Sequence, residues 1–89
     1  MNKPYSDEQI SETTHIRIFD SEDSSEYVWH RDKTDRRVTV LEGAGWQFQY
    51  DEEVPFLINS NDTFFIPKYV FHRLIRGNDR LKIKIEEVI

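Results

Sequence analysis

The sequence predicts an all-β domain, a small sandwich or barrel of about eight short strands. Three observations carry that expectation. Short runs rich in β-branched and aromatic residues alternate with polar ones, turn-forming clusters separate them about every ten residues, and no apolar periodicity supports a helix longer than a turn. At 89 residues the chain is one domain. Residues 1–13 read as a flexible N-terminal arm or edge strand, and residues 14–89 as the barrel.

Taken in order, the first residues hold only Tyr5 and Ile10 as sizeable apolar groups. Ser6 with Gln9 has the spacing of a helix capping box, but no apolar periodicity follows it. His15-Ile16-Arg17-Ile18-Phe19 alternates at period two and is the first credible strand. An acidic loop, Asp20 to Glu26, follows it. Tyr27 to His30 reads as a second strand. Arg36 to Glu42 is a third, with Val38 and Val40 on one face and Thr39 and Leu41 on the other.

Glu42-Gly43-Ala44-Gly45 predicts a hairpin, because a tight reversal uses glycine where φ turns positive. Trp46-Gln47-Phe48-Gln49-Tyr50 alternates without a fault. Its three rings either fill the barrel, with the glutamines in solvent, or lie outside under a partner, with Gln47 and Gln49 inward. Val54 to Ile58 carries Pro55, which lacks a ladder donor and favours an edge. Thr63 to Ile66 and Phe71 to Ile75 follow, and Arg76-Gly77-Asn78-Asp79 turns the chain into its clearest strand. There Leu81, Ile83 and Ile85 face inward, with Arg80, Lys82, Lys84 and Glu86 outward.

Composition narrows the function. Seventeen acidic against twelve basic residues leave a net charge of −5, which repels nucleic acid and anionic membranes at long range. The bases Arg73, Arg76, Arg80, Lys82 and Lys84 alternate along strands, as on a solvated face. No cysteine is present, which excludes disulfides, thiolate zinc sites and a Cys nucleophile. No apolar run has membrane-spanning length and Met1 to Thr13 is polar, so a cytoplasmic location is expected. No catalytic Ser-His-Asp order or phosphate-cradling glycine loop is visible.

Two segments, Trp29 to Gly43 and Asn61 to His72, each carry a histidine at the edge of a strand-like run. From Ser24 to Ile75 the chain resembles the paired motifs of the cupin superfamily. Ser24 stands at the opening glycine of the first motif, His30 at its first histidine, Asp32 at its second, Arg36 at its glutamate and Gly43 at its closing glycine. Asn61, Pro67, Tyr69, His72 and Arg76 fall on the glycine, proline, glycine, histidine and asparagine of the second. His30, Gly43, Pro67 and His72 are the identities. Asn61 suits a positive φ, whereas Tyr69 does not.

The resemblance implies a single-domain cupin-like jelly-roll β-barrel, associating as a homodimer. In metal-bearing members the motif histidines and glutamate hold one divalent ion. Carried over, His30, Asp32 and His72 form an altered set for Fe, Zn, Mn or Ni, against which Arg36 counts as a repelling cation. That set belongs to a metal-dependent enzyme of dioxygenase or isomerase type. The favoured expectation uses no cofactor. Arg36, His30 and His72 make a cationic corner, with Gln47 and Gln49 as polar orienters, for a small anionic or polar ligand. Two plainer readings stand beside these: a non-catalytic dimeric scaffold, and histidines that are merely hydrogen-bonded, with Arg36 paired to Asp32. His15 matches no motif and is expected on the surface.

Overall fold

The computed structural model describes residues 6–20 and 25–88, apart from the side chain of Ser25. Expectations for residues 1–5, 21–24 and 89, the motif position of Ser24 among them, fall outside these. Among the described residues eight strands form: β1 (Ser6–Gln9), β2 (Thr14–Phe19), β3 (Asp35–Glu42), β4 (Gln47–Tyr50), β5 (Phe56–Leu57), β6 (Thr63–Ile66), β7 (His72–Ile75) and β8 (Leu81–Val88). They build two antiparallel sheets, β1-β2-β8-β3-β6 and β5-β4-β7. The chain thus has the all-β jelly-roll fold.

The core lies between the sheets, as the alternation of β3 and β8 requires. Val38, Val40, Leu81, Ile83 and Ile85 point inward from the large sheet and meet Trp46, Phe48 and Leu74. Burying such side chains contributes roughly 1.5–3 kcal/mol each. Trp46 and Phe48 therefore fill the barrel, and Gln47 and Gln49 point the other way. Trp46 Nε1 donates to the Asp79 carbonyl at 2.8 Å, so its one polar atom is satisfied indoors.

Ser6 to Gln9 form an edge strand beside β2. Three expectations are corrected. Tyr27 to His30 is not a strand: Ser25–Tyr27 is a 3-10 turn, and His30 makes an isolated bridge to His72. Glu42 to Gly45 is not a hairpin, because β3 pairs with β8 and β6 while β4 pairs with β5 and β7. The segment carries the chain from one sheet to the other, with Gly45 at φ 76°. His15 is buried, not on the surface.

That last correction follows from the phase of β2. Phe19 opposite Leu81 sets it, so His15 and Arg17 turn inward with Phe19, and Ile16 and Ile18 turn out. The buried Arg17 is tolerated because it meets carboxylates: Nε and Nη2 donate to Asp7 at 2.8 and 3.1 Å, and Nη1 to Glu26 at 2.6 Å.

Several of the alternating bases are engaged by neighbours. Arg73 lies over the Trp29 ring and donates to Gln49, Arg80 pairs with Glu42, and Lys84 with Glu86. Among the described residues no helix is long and apolar enough to cross a membrane.

Candidate functional site

His30 and His72 come together although 42 positions separate them in the chain. Their backbones exchange hydrogen bonds of 3.1 and 2.8 Å, and the ring centroids lie 4.4 Å apart at 68°. Each ring is oriented in the same way. His30 Nδ1 donates to the Val28 carbonyl and His72 Nδ1 to the Val70 carbonyl, both at 2.8 Å. A carbonyl only accepts, so the proton sits on Nδ1 in both rings and Nε2 is the atom presented to the cavity.

Asp32 completes the cluster. Its Oδ2 lies 3.2 Å from His72 Nε2, and the ligating atoms of His30, Asp32 and His72 all fall within 4.8 Å of one another. The loop carrying Asp32 is tied down by the Tyr69 N–H, which donates to the Asp32 carbonyl at 2.8 Å. Tyr69 adopts φ 65° and Asn61 φ 77°, the left-handed conformation expected where the second motif has glycine. Phe48 stacks on the His72 ring, with centroids 5.4 Å apart and an interplanar angle of 23°, and closes the apolar side.

Arg36 reaches the same space but is already engaged. Nη1 lies 3.6 Å from Asp32 Oδ1, and Nη2 3.4 Å from Glu87 Oε1. Arg36 Nε is buried without a partner. Gln47 and Gln49 do not reach the cavity. Adjacent side chains on a strand face opposite ways, and Phe48 takes the inner one. Gln49 instead donates to the Glu53 carbonyl at 2.8 Å and accepts from Arg73 at 2.9 Å. Five of the anticipated residues thus divide: His30, Arg36 and His72 line the cavity, and the two glutamines do not, while Asp32 joins the first group.

Glu26 was not anticipated. It lines the same cavity from the 3-10 turn, and its Oε2 is hydrogen-bonded to His30 Nε2 while Oε1 accepts from Arg17. Burial alone pulls the His30 pKa down, but the Glu26 hydrogen bond and charge outweigh it and hold the ring above its ordinary value. Burial likewise pushes Glu26 and Asp32 up. The His30 hydrogen bond overrides this at Glu26, and the His72 hydrogen bond with the Arg36 charge overrides it at Asp32, so both stay below the usual carboxylate range.

The cavity measures about 30 Å³. That is roughly the share of liquid volume held by one water, whereas organic ligands occupy pockets of about 300 Å³ or more. Ordinary metal chemistry fits the donor set: two imidazoles with Nε2 converging, each able to ligate once Nε2 is free of a proton, one carboxylate, and carbonyl partners fixing both rings.

No family model and no curated relative matches the chain. Solved structures do. A cupin-2 domain protein from Shewanella frigidimarina is 25% identical, with a TM-score of 0.68 over 96% of this chain and 81% of its own. A cupin domain from Bordetella pertussis is 17% identical, with a TM-score of 0.63 over 100% and 99%. A protein from Neisseria meningitidis is 16% identical, with a TM-score of 0.70 over 100% and 89%.

Proposed function

Because the chain is related to the cupin superfamily by fold, we propose that it is a metal-binding barrel holding one divalent transition ion through His30 Nε2, His72 Nε2 and an Asp32 oxygen. The observation carrying this reading is the convergence of three ligand atoms within 4.8 Å, with both rings locked so that Nε2 faces the cavity. Two imidazoles and one carboxylate suit Fe, Mn or Zn and leave coordination positions open. An ion held by these residues would supply Lewis acidity to a water or other small ligand at its remaining positions.

The protein's own residues have separable tasks. The Val28 and Val70 carbonyls orient the imidazoles and raise their basicity. Arg36 neutralises Asp32 and Glu87 rather than presenting a free fork. Phe48 excludes water beside His72. The anionic-ligand reading of this corner is weaker on two counts: its arginine faces two carboxylates already, and the cavity of about 30 Å³ admits an ion or a water.

Elemental analysis of protein purified without chelator tests the proposal. About one equivalent of transition metal per chain is expected, lost in His72→Ala. A chain that carries no metal and takes none up on dialysis against Fe²⁺, Mn²⁺, Zn²⁺ or Ni²⁺ overturns it.

A further inference from the structure

The first cupin motif supplies a carboxylate at the position this chain fills with Arg36, which leaves the proposed ion one protein ligand short. The barrel holds another carboxylate at the same cavity. Glu26 comes from the 3-10 turn ahead of the motif, is largely buried, and places Oε2 against His30 Nε2, the atom assigned to the ion. Its other oxygen is fixed by Arg17 Nη1 at 2.6 Å, and Arg17 is held in turn by both oxygens of Asp7 on the edge strand. Glu26 is thus braced from behind and directed at the metal-side nitrogen of a ligand.

We propose that Glu26 is a fourth protein ligand of the ion held by His30, Asp32 and His72, standing in for the carboxylate that Arg36 replaces, with Arg17 and Asp7 as its brace. The inference rests on the metal-binding reading above. Without metal, Glu26 accepts the proton on His30 Nε2. With an ion bound, that proton would be released to solvent, Nε2 would offer its lone pair as ligand, and Glu26 Oε2 would move from the nitrogen to the ion by rotation about its side-chain torsions. The charge balance favours the exchange: two carboxylates and a dication sum to zero, so the ion need not be stabilised against Arg36 by Asp32 alone. Such a mixed imidazole and carboxylate set suits Mn²⁺ and Fe²⁺ better than the softer Cu⁺.

Glu26 has a competing role with the opposite sign, and this makes the test sharp. If it only holds a proton on His30, it competes with metal, and removing its charge tightens binding. If it is a ligand, removing it weakens binding. Metal-free full-length wild type and Glu26→Gln are titrated with Mn²⁺ and Co²⁺ by calorimetry, with circular dichroism to confirm the fold. Glutamine still accepts a hydrogen bond from His30. The expected result is affinity lowered by more than about tenfold, since even outer-shell partners are worth about that much, together with a changed Co²⁺ absorption spectrum. Equal or tighter binding by Glu26→Gln overturns the inference while leaving the three-residue site intact. A wild type that binds neither these ions nor Fe²⁺, Zn²⁺ or Ni²⁺ overturns both readings. Should Glu26→Gln fail to fold, a crystal structure of the Co²⁺-loaded wild type decides: a Glu26 oxygen within about 2.2 Å of the ion supports ligation, and one still bonded to His30 Nε2 refutes it.

Discussion

Replacing Arg36 by glutamate restores a carboxylate at the position where the first cupin motif has one, and the geometry sets what this costs before any ion arrives. Arg36 lies 3.6 Å from Asp32 and 3.4 Å from Glu87, with side-chain exposures of 17, 14 and 29% respectively. Breaking a buried ion pair by removing one partner costs about 3–5 kcal/mol. Partial exposure screens these charges, so the lower end, about 3 kcal/mol, is the expectation. In a domain of this size each kcal/mol moves the melting temperature by about 4–8 °C. Metal-free Arg36→Glu should therefore melt roughly 12–24 °C below wild type. An ion present at a hundredfold excess over its Kd returns about 2.7 kcal/mol. The variant, with an added carboxylate on the cavity wall, should gain more than wild type from Mn²⁺ or Zn²⁺. Thermal melts followed by circular dichroism, with and without ion, read both quantities. Equal melting temperatures for the metal-free proteins would refute the role of Arg36 in neutralising Asp32 and Glu87. A variant that is destabilised yet gains no more from the ion than wild type would refute the claim that position 36 faces the metal.

Two further perturbations test the fold around the site. A Cβ added at Gly77 would lie 2.4 Å from the Ala44 carbonyl oxygen and 2.5 Å from the Trp46 backbone nitrogen. Backbone must move, so Gly77→Ala should cost about 1–3 kcal/mol in urea denaturation, and an unchanged midpoint would refute the close approach. Burial, then the charge of Arg17, lowers the His15 pKa from 6.5. The unfolded chain therefore binds the extra proton first; the stability tied to neutral His15 is present above pH 6.5 and lost as pH falls through the lower folded value. His15→Phe should flatten the fall in stability below pH 6.5, and a variant with the wild-type slope would show that His15 is not the group responsible.

The strands that were legible are those whose inward residues are simply apolar. Leu81, Ile83 and Ile85 announce β8, and Val38 and Val40 announce β3, because burial alone explains their period. In β2 the same alternation is present with its sense reversed. Ile16 and Ile18 face outward, since Phe19 sets the phase and Arg17 finds its carboxylates indoors. Period names a strand, but only its partners name the buried face. The glycines near Gly45 carry the same lesson for turns. A local reversal says that the chain bends, and the pairing of β3 with β8 and β6 decides that it crosses to the other sheet.

The motif survives in the backbone more fully than in its letters. Asn61 and Tyr69 keep the left-handed conformation of the glycines they replace, at a cost of about 1–2 kcal/mol for a residue such as Tyr69. The Tyr69 N–H bonded to the Asp32 carbonyl gives that conformation a use, for it sets the loop that brings Asp32 to His72. Fixed spacing located His30, Asp32, Arg36 and His72 for this reason: it follows the backbone. It could not locate Glu26, which enters from a 3-10 turn outside the motif, or Glu87, which enters from the last strand. What could have pointed to them is charge. A guanidinium inside a barrel of this size requires carboxylates around it: Arg36 calls for Glu87 beside Asp32, and Arg17 calls for Glu26 beside Asp7. Each inward arginine thus draws its carboxylates from a different part of the chain, Arg17 from the edge strand and the 3-10 turn, Arg36 from the loop before β3 and from β8.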